Sequence, residues 1–424
     1  MKRFMTLLLA LLLAAAALVA WLNVRGEAPV SDAAPAAPTD AATIERGRQL
    51  ATIGNCQACH TARGGEPYAG GRGIATPFGT VYAGNLTPDP THGLGQWNSD
   101  AFWRALHHGR SRDGRLLYPA FPYNNTTLVS REDSDAIYAY LRSVPAVAQA
   151  NRPHELTWPV NTQAALAVWR ALYFRPGGYA PQPQQSAEWN RGAYLVQGLA
   201  HCSACHAPRN ALGASSNMLD LAGGLIPLQN WYAPSLNAPA EAGVQDWSVE
   251  HIVALFRTGR APGGQVTGPM AEVVQLSTQH WAEADLRAMA SYLRVLPRAE
   301  TPTTAGPTSP PSRTLDLGAQ LYGNHCAACH GERGEGVANA YPALAGNRAV
   351  LMTSPANLVQ TVLNGGFSPA TAGHPRPFGM PPYLLTLSDA DIAAVLTHVR
   401  RSWGNQAPAV SELDVLNLRG TARR

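Results

Sequence analysis

The sequence predicts an all-α protein in which three tandem repeats follow an N-terminal apolar helix. A Cys-x-x-Cys-His motif occurs three times, and each copy lies within a recurring pattern of amphipathic helices. The first 24 residues contain a long, almost unbroken apolar stretch. A chain of 424 residues is also long enough for roughly three domains at about 150 residues each.

Composition narrows the class of protein. Charged residues make up 14% and hydrophobic residues 46% of the chain, which excludes the profile of a disordered protein. The 39 Gly and 34 Pro residues favour domains rich in loops. A net charge of +4 with no basic run argues against nucleic acid as a partner.

The N-terminus is predicted to direct export. Lys2 and Arg3 precede an apolar run that ends near Val24. This run exceeds the ~7–15 residues of a signal-peptide core and approaches the ~20 residues of a membrane span. Residues 1–25 are therefore expected to be a signal peptide or membrane anchor; small residues allow cleavage, whereas Trp21 favours retention as an anchor. The positive end stays in the cytoplasm, so the rest of the chain lies outside.

All six cysteines belong to the repeated motifs. The candidate haem-binding residues are Cys56, Cys59 and His60, then Cys202, Cys205 and His206, then Cys326, Cys329 and His330. C-x-x-C-H is the signature of c-type haem attachment. Residues three apart share a helical face, so the two thiols can reach the two vinyl groups of one porphyrin while the histidine binds iron. A redox dithiol or half of a zinc site are the alternatives. Three copies without a spare cysteine favour three covalently bound haem c groups.

Two further helices recur around each motif. A helix with an early glycine precedes it, at Gly47, Gly192 and Gly318, and a helix with an acidic start closes the repeat. Ser130 and Ser388 are predicted N-caps of closing helices. The glycine would let the closing helix cross close to the backbone of the first one. The predicted domains are 42–150, 186–299 and 313–403, and residues 404–424 are expected to form a polar tail.

The sixth iron ligands are predicted from the few methionines. Met270 and Met380 lie on Gly/Pro-rich segments at equivalent places in repeats two and three, which favours coordination over simple core filling. In repeat one the equivalent residue is Phe121, and no Met lies between Met5 and Met218. Haem one therefore cannot take a Met from its own domain.

Four possibilities remain for haem one. His107 or His108 could coordinate the iron, although histidines at a helix end are more commonly solvated or capping residues. His92 or His154 could do so after a loop rearrangement. A group from a neighbouring domain could reach in, or the iron could be five-coordinate or water-bound.

A loop after each motif is a candidate support for the proximal histidine. These loops are residues 82–86, 232–236 and 341–344. A backbone carbonyl in such a loop can accept the imidazole Nδ1–H and fix its tautomer. An ordinary turn is the equally simple alternative.

Longer stretches add a family resemblance. They include Asn85-Leu-Thr-Pro-Asp-Pro, Asp113-Gly-Arg-Leu-Leu-Tyr-Pro-Ala, His201-Cys-Ser-Ala-Cys-His-Ala-Pro-Arg-Asn and Gly268-Pro-Met-Ala-Glu-Val-Val. Across about residues 42–403 the chain resembles the triheme cytochrome c subunit of membrane-bound bacterial dehydrogenases. The resemblance implies three tandem class I-like cytochrome c domains on the periplasmic side of the inner membrane.

The resemblance also implies partners. One is a catalytic dehydrogenase subunit, which could be a quinoprotein, a flavoprotein or a molybdenum hydroxylase. The electron acceptor would be ubiquinone or a terminal oxidase. The alcohol-dehydrogenase type usually has Met where this chain has Phe121, and the Phe form looks closer to the cytochromes that accompany molybdenum hydroxylases.

The leading hypothesis is thus a non-catalytic electron-transfer subunit. No Ser/His/Asp set, phosphate loop or carboxylate pair occurs at usable spacing, and the isolated Gly pairs, including Gly70-Gly71, are interpreted as turns. The alternative is a peroxidase-like haem enzyme acting at an open haem one. Its only support is the missing methionine.

Overall fold

A computed structural model describes residues 1–31, 40–215, 220–299 and 310–419. The chain forms two compact units. Unit 1 combines residues 1–182, 194–204 and 209–218, and unit 2 combines residues 183–193, 205–208 and 219–424. Residues 32–39, 216–219 and 300–309, and residues 420–424 of the predicted tail, lie outside the described residues.

Helices dominate both units. The first is the apolar α1, Lys2–Val24. The next six are α2 (Ala41–Ile53), α3 (Cys56–Cys59), α4 (Ser99–His108), α5 (Tyr123–Thr126), α6 (Arg131–Ser143) and α7 (Gln163–Tyr173). The second repeat contains α8 (Ala187–Tyr194), a π-helical turn (Leu195–Leu199), α9 (Ser203–His206), α10 (Val249–Thr258), α11 (Pro269–Leu276), a 3-10 turn (Thr278–His280) and α12 (Glu283–Arg294). The third contains α13 (Ser312–His325), α14 (Ala327–His330), α15 (Arg348–Leu351), α16 (Ala356–Asn364), α17 (Asp389–Arg401) and α18 (Glu412–Arg419).

Short strands accompany the helices, which the all-α prediction did not include. The strands are β1 (Gly73–Thr76), β2 (Gly79–Tyr82), β3 (Glu155–Leu156), β4 (Gly224–Leu225), β5 (Tyr232–Ala233), β6 (Arg260–Ala261), β7 (Gly264–Gln265), β8 (Gly366–Phe367) and β9 (Gly379–Met380). They form one three-stranded antiparallel sheet, β1-β2-β3, and three two-stranded hairpins. Runs of two to four residues are too short to produce a visible alternating pattern in sequence.

The early glycines lie where the first and closing helices cross. A Cβ atom on Gly47 would lie 1.9 Å from the Ala136 carbonyl oxygen, and one on Gly192 would lie 1.9 Å from that of Ala288. At Gly318 the corresponding distance is 2.3 Å, to Ala394. Only a residue without a side chain permits this approach. The prediction of a close helix crossing is therefore confirmed in all three repeats.

Capping also follows the sequence in two repeats. The Ser130 hydroxyl accepts a hydrogen bond from the Asp133 N–H at 3.1 Å. Ser388 and Asp391 form a reciprocal capping box. Both predicted N-caps are confirmed, and each satisfies a backbone donor that the helix itself leaves without a partner. The second closing helix begins after Ala282, whose methyl side chain cannot accept a hydrogen bond from the backbone.

The expected polar tail is instead partly folded. Helix α18 contributes the fully buried Val415 to the core of the third repeat, which also contains Tyr322, Val359 and Ile392. Arg419 forms an ion pair with Asp389 of α17. Burial of Val415 and partial burial of Leu418 stabilise this short helix, half of whose side chains are polar.

Candidate haem-attachment sites

Each motif forms a short helical turn, as haem attachment requires. In the first, Cys56 and Cys59 are the two ends of α3 and project from one helical face. In the third, α14 begins one residue after Cys326 and contains Cys329. Burial raises the pKa of the Cys56 thiol to about 12 and that of Cys326 to about 11, so both thiols are protonated.

The proximal histidines share one hydrogen bond. The Nδ1 atom of His60 lies 2.7 Å from the Gly84 carbonyl oxygen. His206 Nδ1 lies 2.7 Å from the Pro234 carbonyl, and His330 Nδ1 lies 2.9 Å from that of Pro342. A carbonyl only accepts, so Nδ1 carries the proton and the Nε2 lone pair is free for a metal. The loops predicted to support the histidines do so in every repeat.

Burial reinforces this protonation state. It lowers the pKa of His60, of His206 and of His330, and in each case the hydrogen bond to the carbonyl opposes the shift. The imidazoles are therefore neutral, which is the form that binds iron. No group of three or more His, Cys, Asp or Glu side chains suited to another metal occurs within the described ranges.

A second backbone support was missed by sequence reasoning. The Gly70 N–H donates to the His60 carbonyl at 2.8 Å, and Gly223 and Gly336 bond in the same way to the carbonyls of His206 and His330. All three glycines have positive φ, between 67° and 81°. A Cβ on Gly70 would lie 2.6 Å from the Gly84 carbonyl carbon. The turn at Gly70 thus holds the loop that supports His60. A signal was present, because a glycine follows each motif within 17 residues.

The two candidate distal methionines occupy different local structures. Met270 is the second residue of α11 and packs against a buried cluster of Val266, Ala271 and Val274. Met380 is in β9, where its backbone pairs with Gly366 of β8. Both side chains are partly exposed. Their role as iron ligands stays a prediction.

The first repeat has an aromatic segment at this place. Phe121 lies 6.4 Å, centroid to centroid, from Tyr123 and lines a small cavity with Pro119 and Trp169. Ser203 lines the same cavity. A phenyl ring offers no lone pair, so Phe121 cannot coordinate iron.

His107 and His108 are not solvated capping residues. The His107 ring stacks on Trp103 at 4.3 Å, and its Nδ1 is buried without a hydrogen-bond partner among the described residues. His108 is only 6% exposed. Burial lowers the pKa of each to about 4, and for His108 the charges of nearby arginines, Arg170 first, lower it further. Both histidines are therefore neutral, and Arg170 of α7 lies against this end of α4, where it donates to the His108 carbonyl at 2.7 Å.

The other two candidate histidines lie elsewhere. The backbone N–H of Tyr82 donates to His154 Nδ1 at 3.1 Å, and the His154 ring lies edge-on to Tyr118 at 5.0 Å. His92 bonds through its backbone, with its N–H donating to Asp89 and its carbonyl accepting from Asn151. His154 therefore lies beside the segment that contains Phe121, whereas His92 belongs to a turn.

The residues before the second motif pack against those before the first, within unit 1. His201 Nε2 lies 3.2 Å from the carbonyl oxygen of Gly54, two residues before Cys56. The amide of Asn125 donates to the Gln197 carbonyl at 2.7 Å and to the Ser203 hydroxyl at 2.8 Å. The π-helical turn at 195–199 and a φ of 41° at His201 produce this path of the backbone. Such irregular turns occur often at functional sites.

Comparisons with known proteins agree with this geometry. The cytochrome c family profile matches residues 44–145 and 315–403. Over 399 residues the chain is 39% identical to the cytochrome c subunit of alcohol dehydrogenase (quinone) from Gluconacetobacter polyoxogenes, covering 90% of this chain and 85% of that one. It is 37% identical over 396 residues to the gluconate 2-dehydrogenase cytochrome c subunit of Pantoea cypripedii, covering 89% and 90%.

A third relative is larger. The chain is 41% identical over 377 residues to a subunit of nicotinate dehydrogenase from Pseudomonas putida, and the match covers 87% of this chain but 31% of that protein. The fold and the attachment sites define a c-type cytochrome, whose domains carry covalently bound haem c. Within that class, the chain belongs to the family of cytochrome c subunits of dehydrogenase complexes. The resemblance seen in the sequence is confirmed, and the protein is an electron-transfer cytochrome.

Proposed function

We propose that this chain is a triheme subunit that passes electrons from a catalytic dehydrogenase subunit to ubiquinone or a terminal oxidase. It acts on the periplasmic side of the inner membrane, held there by α1. The observation that carries the proposal is the repeated bond between a proximal His Nδ1 and a loop carbonyl, at 2.7–2.9 Å in all three repeats. A motif that no longer bound haem would not need this hydrogen bond to its histidine.

The residues divide into attachment, proximal and distal sets. The attachment set is Cys56, Cys59, Cys202, Cys205, Cys326 and Cys329. The proximal set is His60, His206 and His330, and the distal set is Met270 and Met380. Haem c supplies reversible one-electron chemistry when it is bound. The chain holds the imidazoles neutral and oriented.

Two observations support the membrane location. Helix α1 has 23 residues with a mean hydropathy of 2.5 in its most apolar window, and none of that window is buried in the protein. At about 1.5 Å per residue it is long enough to cross a ~30 Å hydrocarbon layer. The relatives named as dehydrogenase subunits support a catalytic partner, which could be a quinoprotein, a flavoprotein or a molybdenum hydroxylase.

Haem stoichiometry is the first test. The full chain, purified from membranes in mild detergent, should contain three covalent haems by intact mass and by haem absorbance. Replacing both cysteines of one motif with Ser should remove one haem, whichever motif is changed. A wild-type stoichiometry of two would contradict the proposal.

Partner capture is the second test. Purification with native companions, followed by mass spectrometry, should recover a dehydrogenase subunit. The complex should reduce a short-chain ubiquinone when its substrate is added. Recovery of no dehydrogenase subunit would count against the proposal.

Phe121 favours a second candidate, a peroxidase-like activity at an open haem one. That function requires rapid binding of peroxide or cyanide by one haem, with turnover. A low-spin spectrum for all three haems with no peroxide turnover would exclude it. If His107 or His108 is the sixth ligand, replacing that residue with Gln should convert only haem one to a high-spin form.

A further inference from the structure

We propose that α7 lies on the lipid surface beside the C-terminal end of α1. Its apolar outer face, formed by Ala164, Val168 and Leu172 and called here the α7 stripe, would enter the boundary between headgroups and acyl chains. The proposal rests on the proposed function only where it takes α1 as a membrane anchor.

Helix α7 exposes apolar side chains and buries its charged one, which is the reverse of the arrangement in a helix that faces water. The stripe residues are spaced i, i+4, i+8 and are exposed, with Val168 at 49% and Leu172 at 57%. The one charged residue of α7, Arg170, is only 2% exposed. Helices at a water-facing surface normally place polar residues outward. An aliphatic outer face is instead typical of a helix lying in a membrane interface.

The polar groups of α7 are used inside the fold. Gln163 accepts from the Leu116 N–H at 2.7 Å and donates to the Leu116 carbonyl. The Trp169 indole N–H donates to the Leu212 carbonyl at 2.9 Å. Arg170 donates to the His108 carbonyl at 2.7 Å. Apart from Gln163, the exposed residues of α7 are aliphatic.

Hydrogen bonds fix α7 to the end of α1. Of the residues of α1, all of which are described, Asn23 alone is buried. Its side-chain amide donates to the Ala167 carbonyl at 2.9 Å, and its Oδ1 accepts from Arg170 Nε at 3.0 Å. Arg110 donates to the Asn23 carbonyl at 2.8 Å and to the Glu27 carboxylate at 2.9 Å. A buried polar network of this kind allows few alternative arrangements.

The position of α7 points to lipid as the occupant. Asn23 is the second-last residue of the apolar helix, so Ala167 lies where α1 leaves the hydrocarbon layer. Trp21, in the last turn of α1, is 57% exposed, and Trp158, which precedes α7 in the chain, is 81% exposed. Tryptophan is enriched at the level of lipid headgroups. The stripe therefore continues an apolar surface that already begins on α1.

Lipid photolabelling tests the inference on the full chain, purified without companions. The protein is placed in vesicles of phosphatidylethanolamine and phosphatidylglycerol that contain a phosphatidylcholine with a diazirine on its acyl chain. After illumination, mass spectrometry locates the adducts. Adducts on residues 163–173 as well as on α1 are the expected result.

Other outcomes separate the two levels of the proposal. Adducts on α1 but not on residues 163–173 would overturn the inference and leave the anchor in place. Adducts on neither would overturn both the inference and the proposed membrane location. Haem content and partner capture report separately on the rest of the proposed function.

A matched pair of variants makes the test specific. The double variant Val168→Gln/Leu172→Gln should reduce labelling of residues 163–173 by about fivefold, since the apolar contact is lost. Labelling of α1 should not change. The control Leu225→Gln/Val295→Gln removes the same two residue types at positions that are 52% and 62% exposed. An equal loss of labelling in the control would contradict the inference.

Discussion

His60 in the first repeat and His330 in the third meet their loop carbonyls at 2.7 and 2.9 Å. At the predicted distal position, the first repeat has Phe121 where the third has Met380. The proximal support is thus repeated while the distal residue is not. Attachment and orientation are needed wherever a haem is bound, whereas the distal residue can differ between sites, because it adjusts potential and access.

The largest expected effect concerns the helix crossing that all repeats share. Gly47→Ala would place a methyl group 1.9 Å from a backbone oxygen, so the helices must separate. We expect a loss of about 3 kcal/mol in the free energy of unfolding. Gly192→Ala should cost as much and Gly318→Ala less, because its contact is 2.3 Å. Denaturant unfolding measures this.

Gly177→Ala is the control for the crossing. A Cβ there has no neighbour within 4 Å, so stability should change by less than about 1 kcal/mol. Equal losses at Gly47 and Gly177 would show that the helix crossing is not the cause.

A reciprocal exchange of distal residues tests the difference between repeats. Met380→Phe should open haem three, and Phe121→Met should give haem one a thioether ligand. In the Met380→Phe variant, cyanide should bind to haem three about tenfold faster, since no sixth ligand must leave. Stopped-flow absorbance measures the rate, and the double exchange should move the fast-binding haem from the first repeat to the third. An unchanged rate of cyanide binding in Met380→Phe would show that Met380 is not the sixth ligand of haem three.

His108, one of the buried histidines of the first repeat, should make stability depend on pH. The folded pKa of His108 is about 4 and its ordinary value is 6.5, so the unfolded chain takes up its proton first as pH falls. Stability should fall between pH 7 and pH 4, by about 2 kcal/mol after allowing for solvent screening. His108→Gln should reduce this loss of stability between pH 7 and pH 4. An unchanged slope would mean that His108 does not titrate in this range.

The smallest expected effect lies between the first two motifs. His201 and Asn55 precede the first cysteine of their motifs, and both have positive φ. His201→Asn keeps a residue that tolerates this backbone but removes the bond to Gly54. Unfolding of unit 1 should become about 1 kcal/mol easier. No change would show that this hydrogen bond contributes nothing net.

The repeated features could be predicted from the sequence because each recurs at an equivalent place. The three motifs and the caps at Ser130 and Ser388 depend on residues a few positions apart, and an early glycine precedes every motif. The loop carbonyl that accepts the hydrogen bond from His206 Nδ1–H was also predictable, since a similar loop follows each motif. Recurrence made these signals visible without any knowledge of the tertiary structure.

The non-repeated features could not be predicted in the same way. The burial of His108 depends on Arg170, which lies 62 residues away, and on Asn23 beyond it. The contact of His201 with Gly54 spans 147 residues. Helix α18 packs against the third repeat through Val415, which is fully buried, although half of its side chains are polar. Distant partners decided each of these outcomes.

The Nδ1–carbonyl bonds have a consequence for how charge is balanced. A carbonyl oxygen cannot take the imidazole proton, and burial disfavours a second proton on the ring. In the proposed triheme chain, a change of iron charge is therefore not matched by proton uptake at the proximal histidine. Electrons would travel along the chain without protons, and the protons released by substrate oxidation would leave at the catalytic partner.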